Sequence, residues 1–389
     1  MRRFQKIMIM LTMFFVLTGC WNNCDLTDLA IMTGIAIDKS SEGKIEMTVQ
    51  IVKPQVIKPD PKGGAKESKA YVNISSTGET MFDATRNLLA RLNKKAYFAH
   101  VQLIVISEEA AREGISSYFD LFERDIETRR RANLVIAKGM KARTVLDSES
   151  RLTNLPTTHN IEAFEASRSY GKSLNVLLLN VLKDFSKEGY AIVLPVLVNS
   201  KKTEDVYQEE LIMEGSAIMK KDKLIGYLDP IQTRGYLFSK DEIQSTIINI
   251  PSPLNPDKKV SIEVIRSTGK IEAKMEKGKP ILDIKVKAEG NIGEQQEKED
   301  LTKLDTIQAL EYEVENEIKK EIESTVKITQ EEYHSDVFGF INNINKNYYT
   351  EWKRIVNYWS DIYSGTPVEV NVKFEIRRPG LNKQPIEQK

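Results

Sequence analysis

The sequence is poor in the residues that bind metals or form disulfides. Of its 389 residues, two are cysteine and three are histidine, namely Cys20, Cys24, His100, His159 and His334. The histidines are too far apart to share one turn of a helix, so a zinc site built from Cys and His ligands is not expected. The sequence therefore predicts neither a metal nor a cofactor.

The chain also lacks a surplus of positive charge. It contains 56 Lys and Arg residues and 56 Asp and Glu residues, so its formal net charge is zero. Proteins that bind nucleic acid normally carry a basic excess that complements the phosphates. The overall charge therefore predicts no nucleic-acid partner.

Long hydrophobic runs are missing after the first 20 residues. The longest are Val176–Leu182 and Ala191–Val198, and the second of these contains Pro195. A helix that crosses a bilayer needs about 18 or more apolar residues. We therefore predict no membrane span beyond the N-terminal segment.

Compact catalytic motifs are missing as well. Tyr170-Gly171-Lys172-Ser173 is similar to the end of a phosphate loop, but Ala166 stands where that loop needs glycine. His334-Ser335-Asp336 contains the residue types of a catalytic triad, yet adjacent side chains do not ordinarily converge on one reacting atom. We interpret these three residues as a helix-capping turn and predict that the protein is not an enzyme.

The N-terminal residues have the features of a secretory signal peptide. Arg2, Arg3 and Lys6 precede an apolar stretch, Ile7–Leu17, that is interrupted only by Thr12. As a helix this stretch would extend only about 16 Å, roughly half the hydrocarbon thickness of a bilayer. We therefore expect cleavage rather than a permanent membrane span.

A lipobox closes this segment. Leu17-Thr18-Gly19-Cys20 fits the bacterial pattern in which the cysteine thiol receives a diacylglycerol and becomes the mature N-terminus. Residues 1–19 are therefore predicted to be the signal peptide, and Cys20 the site of lipid attachment. Acyl chains would then hold the protein body at the outer side of a membrane. With Cys20 modified, Cys24 is left as a free thiol or as half of a disulfide between chains.

The rest of the chain alternates strand and helix patterns, which predicts an α+β fold with mixed sheets flanked by helices. Lys44–Val52 alternates apolar and polar residues like a half-buried strand, and Thr80–Leu92 has the apolar spacing of a helix. Gly189 interrupts the pattern, and Pro251–Pro256 contains three prolines, which neither a helix nor a central strand accommodates. The predicted domains are an N-terminal α/β domain at 20–189, a small, mostly β domain at 190–255 and a C-terminal α/β domain at 256–389.

The third predicted domain contains a long helix. Between residues 301 and 326, apolar side chains recur at steps of three and four, at Ile307, Leu310, Val314, Ile318 and Ile322. This stripe favours a helix that covers one face of a sheet. Short strands are predicted at 259–266, 270–275, 281–289 and 368–376.

The three tryptophans are candidates for contact surfaces. Trp352 and Trp359 are seven residues apart, so on one helix they would lie about 10 Å apart on nearly the same side, and we expect at least one in the core. Trp21 is next to the predicted lipid attachment and is followed by polar residues. We expect Trp21 at the lipid interface or against a partner protein.

Separate stretches along nearly the whole mature chain resemble one known family in the same order. They are Gly19-Cys20-Trp21-Asn22, Leu29–Asp38, Ala96–Val101, Ala111–Gly114, Arg124-Asp125, Gly215-Ser216-Ala217, Lys220–Leu228, Thr233-Arg234-Gly235, Asp336–Phe340, Trp352-Lys353, Trp359 and Val368–Arg378. Together they resemble the Ger(x)C family, the C-subunit lipoproteins of bacterial spore germinant receptors.

The resemblance implies a non-enzymatic receptor subunit with three mixed α/β domains. Its implied partners are the integral-membrane A and B subunits of the germinant receptor. Its implied place is the spore inner membrane, lipid-anchored, with the body on the extracytoplasmic face. Whether this subunit binds a small molecule stays open.

Two other classes of protein are alternatives. An extracytoplasmic solute-binding lipoprotein would have two similar lobes and would bind a small molecule unaided. A secreted hydrolase would need a catalytic constellation, which the sequence does not display.

Overall fold

The computed structural model describes residues 28–53, 69–124, 130–148, 153–199, 211–296 and 300–378, together with position 5. These residues form two β-sheets and the helices that cover them. The predicted α+β class, with mixed sheets and flanking helices, is confirmed.

The first sheet has nine strands in the described part of the chain. They are β1 (Leu29–Lys39), β2 (Ile45–Val52), β3 (Tyr71–Gly78), β4 (Lys95–Tyr97), β5 (Leu103–Ser107), β6 (Asn133–Ala137), β7 (Ala191–Asn199), β8 (Leu211–Lys220) and β9 (Lys223–Leu228). Their order is β3-β2-β1-β5-β6-β7-β8-β9, and β4 pairs with the start of β1. The central strands β1, β5, β6 and β7 are parallel, whereas the outer strands pair antiparallel.

Helices cover both faces of this sheet. In chain order they are α1 (Met81–Leu89), α2 (Glu108–Glu113), α3 (Ser116–Arg124), α4 (Ala142–Asp147), α5 (Pro156–Tyr170) and α6 (Leu178–Phe185). The side chains of α4 and α5 join the hydrophobic core on one face, and those of the other four helices join the core on the opposite face.

The composition of the central strands follows from this double coverage. All five residues of β5 are buried: Leu103 and Val105 pack under α4 and α5, while Ile104 and Ile106 pack under the other helices. A strand that is buried on both faces has no polar side to alternate with, so it appears in the sequence as a short apolar run.

The second sheet is smaller and follows a buried helix, α7 (Pro230–Ser239). Its strands are β10 (Thr246–Pro251), β11 (Lys259–Glu276), β12 (Lys279–Gln295) and β13 (Val368–Arg378), in the order β10-β11-β12-β13. The first three are antiparallel, and β13 is parallel to β12. Between β12 and β13 lie α8 (Leu304–Glu331), α9 (Phe340–Asn347), α10 (Tyr349–Ile355), a 3₁₀ turn (Val356–Tyr358) and α11 (Trp359–Gly365).

The long helix α8 covers the second sheet as predicted. Leu310, Val314, Ile318 and Ile322 are all fully buried and belong to the same core as the apolar residues of β11 and β12. The helix is displaced by a few residues from the predicted 301–326. The periodic stripe thus predicted the packing face correctly and the ends less well.

The second sheet differs from the sequence prediction in two strands, because β10 was not predicted and β11 was predicted as two strands. The strands expected at 259–266 and 270–275 are a single strand, β11, with an irregular register between Val264 and Arg266. Gly269 interrupts the apolar pattern without ending the strand. A Cβ at this position would lie 2.2 Å from the Phe238 carbonyl oxygen, so the glycine allows the strand to approach the end of α7.

The sheets do not divide where the predicted domains do. The strands β7, β8 and β9, expected in a middle domain at 190–255, are hydrogen-bonded into the first sheet. Pro251–Pro256 lies at the turn between β10 and β11, where Pro251 is tolerated because β10 is an edge strand. The change from one sheet to the other occurs between residues 228 and 246. Independent folding of three units stays a prediction.

Helix α7 was not predicted, although its first residues carry a start signal. Asp229 caps the helix by accepting hydrogen bonds from the N–H groups of Ile231 and Gln232, and Gln232 Oε1 accepts from the Asp229 N–H at 3.0 Å. Pro230 occupies the first helical position, which suits its missing N–H. Because almost every side chain of α7 is buried, the helix lacks the polar face by which helices are usually found in sequences.

Helix α7 is held against α8 by a buried ion pair. Arg234 Nε donates to Glu321 Oε2 at 2.9 Å, its Nη2 donates to the other carboxylate oxygen, and its Nη1 donates to the Ile247 C=O at 2.8 Å. The side chains are 7% and 1% exposed. Burial raises the pKa of Glu321, while the neighbouring guanidinium opposes that rise.

Replacing Arg234 with Met should lower the free energy of unfolding by about 3–5 kcal/mol, because Glu321 would remain buried without its partner. The double variant Arg234→Met/Glu321→Leu should lose less, since no unpaired charge is buried. Urea unfolding of the three proteins measures both differences.

The matched control is Arg124→Met. Arg124 pairs with Asp120 on α3, and their side chains are 79% and 59% exposed. Arg124→Met should therefore lower the free energy of unfolding far less than Arg234→Met, because an exposed ion pair contributes little to stability. If Arg234→Met cost no more than this control, the buried pair would not be what holds α7 on α8.

Candidate functional site

A cleft of about 950 Å³ opens between the first sheet and the C-terminal helices. Its walls are α3, the junction of α6 and β7, the turn between β8 and β9, and segments 334–336 and 356–360. Acidic and basic residues line it, namely Asp120, Glu123, Asp184, Lys187, Glu188, Lys220, Lys221, Asp222 and Asp336. The cleft therefore presents both acidic and basic side chains to a partner.

Asp336 lies buried at the base of the cleft. Its carboxylate accepts hydrogen bonds from the N–H groups of Gly339 at 2.7 Å and Ile341 at 2.9 Å, and from Trp359 Nε1 at 3.1 Å. Its C=O accepts from the Ala191 N–H at 2.9 Å, which links it to β7. Burial raises the pKa of this carboxyl although the donors oppose the rise. The predicted capping turn is confirmed, because the Asp336 carboxylate accepts hydrogen bonds from backbone N–H groups at the start of α9.

The turn between β8 and β9 connects two walls of the cleft. Lys220 Nζ donates to the His334 C=O at 3.1 Å and to Ser360 Oγ at 3.2 Å. Two residues later, Asp222 Oδ2 accepts from Ser116 Oγ at 2.6 Å. The turn therefore joins the helices of the first sheet to the C-terminal helices.

Behind Tyr190, which lines the cleft, lies the half-buried side chain of Lys240. Its Nζ is 5.5 Å from the centroid of the Tyr190 ring and 5.9 Å from that of Tyr236, and it donates to the Phe338 C=O at 3.3 Å. Burial lowers the pKa of Lys240, although nearby carboxylates oppose this, and burial raises the pKa of both tyrosines. The lysine is thus held by ring and carbonyl contacts.

The triad-like residues point to different partners. His334 Nδ1 is 2.9 Å from Ser364 Oγ, Ser335 Oγ donates to the Tyr333 C=O at 2.7 Å, and Asp336 faces the amides of α9. They do not form a nucleophile, base and orienting acid. Within the described ranges, no group of three or more His, Cys, Asp or Glu side chains could hold a metal ion.

The segment that is similar to a phosphate loop has a structural role. Gly171 ends α5 with a φ of 70°, and its N–H donates to the Ser167 C=O. This is a left-handed helix end, a conformation that glycine adopts readily. The geometry supports the sequence interpretation that Tyr170–Ser173 is not a nucleotide site.

The residues predicted to make contacts fall in two groups. Cys20, Trp21 and Cys24 lie outside the described residues, as does the predicted signal peptide apart from position 5, so their roles stay predictions. Trp352 and Trp359 lie on separate short helices, α10 and α11, rather than on one helix. Trp359 is buried in the core, as expected for at least one of them.

Two family models match the chain in succession. The first, described as the spore germination protein N-terminal domain, matches residues 23–198. The second, described as spore germination B3/GerAC like, C-terminal, matches residues 214–380. The chain belongs to the GerAC family of spore germination proteins. The family resemblance inferred from the sequence is confirmed.

Relatives in Bacillus subtilis (strain 168) match almost end to end. Spore germination protein KC is 28% identical over 400 residues, covering 99% of this chain and 98% of the relative. Spore germination protein B3 is 24% identical over 379 residues, with 97% and 98% covered. Spore germination protein A3 is 22% identical over 387 residues, with 97% and 99% covered.

A solved structure shares the fold. The crystal structure of the GerBC protein superposes with a TM-score of 0.55 and 20% sequence identity, covering 88% of this chain and 97% of that chain. This likeness extends over both sheets.

No helix in the described part of the chain has the length and apolar character needed to cross a bilayer.

Several stretches that carried the family resemblance lie where the parts of the fold meet. Thr233-Arg234-Gly235 lies on α7, where Arg234 bonds Glu321 and a Cβ on Gly235 would lie 2.5 Å from the Glu321 carbonyl oxygen. Asp336–Phe340 and Trp359 form the base of the cleft. These stretches therefore supply the base of the cleft, and Lys220–Leu228 supplies the turn that forms one of its walls.

The lysines of the cleft were not predicted from the sequence. Lys220 and Lys240 acquire their roles from carbonyl groups that are 114 and 98 residues away along the chain. No local spacing signals such contacts. Of the two tyrosines whose rings lie near Lys240, Tyr190 is also distant in the sequence, whereas Tyr236 precedes the lysine by four residues.

Replacing Trp359 with Phe should lower the free energy of unfolding by about 1–3 kcal/mol at about pH 8, because the buried Asp336 carboxylate would lose a donor. The loss depends on the charged form, so it is present above the raised pKa of folded Asp336 and fades as the pH falls through it. Urea unfolding over a pH series that starts at about pH 8 and goes downward shows whether the loss fades.

Trp352→Phe is the matched control for this experiment. Trp352 is half-buried and stacks on Tyr349, with centroids 5.6 Å apart, and its indole has no hydrogen bond to another described residue. Its effect should be the same at every pH of the series. A loss for Trp359→Phe that does not change with pH would contradict a contact to a charged carboxylate.

Proposed function

We propose that the protein is the membrane-anchored lipoprotein subunit of a nutrient germinant receptor and is required for spore germination. It acts through protein–protein contacts with the integral-membrane A and B subunits of that receptor. The observation that carries this proposal is the pair of family matches, over residues 23–198 and 214–380. The first match begins three residues after Cys20, the last residue of the lipobox.

The proposed location is the spore inner membrane. The signal peptide over residues 1–19 would direct export, and diacylglycerol on Cys20 would retain the mature chain on the extracytoplasmic face. The body then needs no membrane span of its own.

The geometry supports a contact role rather than catalysis. The side chains of His334, Ser335 and Asp336 bond separate groups instead of one reacting atom. Exposed aromatic side chains lie on the C-terminal helices, where Tyr349 is 55% and Tyr358 is 66% exposed. Tyrosine is enriched among the residues that contribute most to binding another protein.

A solute-binding lipoprotein is less well supported. Such a protein would close two similar lobes around its ligand. Here the lobes differ: in the described part of the chain, the first sheet has nine strands and helices on both faces, whereas the second has four strands and one long covering helix. The cleft between them is therefore more consistent with a partner surface than with a symmetric ligand trap.

The anchor is tested by replacing Cys20 with Ala and fractionating the cells that express it. The mutant protein should leave the membrane fraction, and its mobility should change because it lacks the diacylglycerol. The control variant is Thr18→Ser, which keeps a small residue before the lipobox cysteine and should remain in the membrane. Membrane retention of Cys20→Ala with unchanged mobility would show that partner proteins, not acyl chains, hold it.

Trp21 is tested separately. Trp21→Ala should leave the melting temperature of the unacylated mature body unchanged, while it weakens recovery of the A and B subunits with the tagged protein from spore membranes. Asn22→Ala, at the next position, is the control and should recover them normally. A lower melting temperature together with normal recovery would make Trp21 a packing residue.

A further inference from the structure

One end of the first sheet carries a row of exposed basic side chains. They are Lys53 after β2, Lys94 and Lys95 at β4, and Arg130 and Arg131 before β6. We refer to these five residues as the basic edge. Each is exposed to solvent in the described structure.

Strand register places these residues at the same end of the sheet. Leu29, the first residue of β1, pairs with Lys95, and the starts of β5 and β6 pair through Leu103 and Asn133. Lys53 follows the last residue of antiparallel β2, so it also lies at the end where β1 begins. From β2 to β6 the strand order spans three steps, or about 15 Å.

The basic edge lacks the ion pairs that neutralise the opposite end. None of its five side chains forms an ion pair or hydrogen bond with another described residue. At the opposite end, Lys39 pairs with Glu113 at 2.8 Å and Lys44 with Glu42 at 3.2 Å. The positive charge of the basic edge is therefore available to something outside the described body.

The basic edge also faces the side from which the N-terminal segment leaves the body. Cys20 precedes Asp28, the residue before β1, by eight positions. A segment of this length spans at most about 28 Å when fully extended. A lipid on Cys20 would thus keep this end of the sheet near the membrane surface.

We propose that the basic edge binds the anionic phospholipid surface of the membrane and acts as a second attachment beside the acyl chains. This inference rests on the proposed anchoring through Cys20. Acyl chains and basic side chains reinforce one another, because a lipid anchor confines the protein to the surface and each Lys or Arg near it gains attraction to anionic headgroups. The contact would fix the orientation of the first sheet, with β1 starting at the membrane.

Binding to vesicles tests the basic edge without the anchor. The mature chain, residues 20–389 carrying Cys20→Ser, is mixed with vesicles of phosphatidylcholine or of equimolar phosphatidylcholine and phosphatidylglycerol, and cosedimentation is measured. The protein should prefer the anionic vesicles. Replacing all five basic-edge residues with Gln should weaken that partition at least about tenfold, and added salt should weaken the wild type.

The control variant changes the same amount of charge elsewhere. Lys258, Lys259, Lys274, Lys279 and Lys287 are exposed on the second sheet, and replacing them with Gln should leave the partition within about twofold of wild type. Circular-dichroism melting of both variants checks that they fold like the wild type. Because every substituted side chain is exposed, neither variant should melt earlier by more than a few degrees.

Each other outcome overturns the proposal. It fails if the wild type shows no preference for anionic vesicles, if the basic-edge variant binds them as well as the wild type, or if the control variant loses as much. A basic-edge variant that binds vesicles normally but no longer recovers the A and B subunits would assign the edge to a protein partner. Fractionation of Cys20→Ala reports on the anchor independently of all these results.

Discussion

The arrangement of the two sheets depends on the burial of α7 between them. The helix has almost no exposed face, and its Arg234 reaches Glu321 on α8 in a site where both side chains are nearly inaccessible. Removing two charges from water costs several kcal/mol for each, so the pair is stable only because the guanidinium fork satisfies both carboxylate oxygens. Gly235 lets the helix backbones approach, and Ser216 of β8 bonds Thr233 at 2.9 Å. One short helix thereby joins the first sheet to the helix that covers the second.

The cleft follows from the same junction. Once α7 has brought the sheets together, the end of α8 and the following turn reach β7, where the Asp336 C=O accepts from Ala191. The carboxylate of Asp336 then orders the start of α9 and the ring of Trp359. The cleft is thus lined by two parts of the chain that are fixed relative to each other, which suits a surface that a partner must recognise in one geometry.

Local patterns predicted the parts of this structure that local physics determines. The alternation in β2 and the stripe on α8 each reflect how one element is covered, and both elements were identified. Helix α7 was missed because burial on all sides removes its periodicity, although Asp229-Pro230 marked its start. The Arg234–Glu321 pair spans 87 residues, and nothing in either neighbourhood indicates the other. The predicted domain boundaries do not coincide with the boundary between the sheets for a related reason. Gly189 and the prolines of Pro251–Pro256 mark local turns of the chain, but they do not show which strands pair with one another.

Equal numbers of acidic and basic residues conceal how the charges are distributed. The zero net charge argued against a nucleic-acid partner for the whole chain. At one end of the first sheet, however, Lys39 and Lys44 have acidic partners, whereas the five basic-edge side chains have none among the described residues. Binding to a charged surface depends on the charges within about one Debye length of it, and distant acidic residues contribute little. A neutral protein can therefore be strongly attracted to an anionic membrane through one face. Since the N-terminal segment leaves from that face, the lipid anchor and the unpaired cations would act on the same end of the molecule, and neither could be recognised from composition.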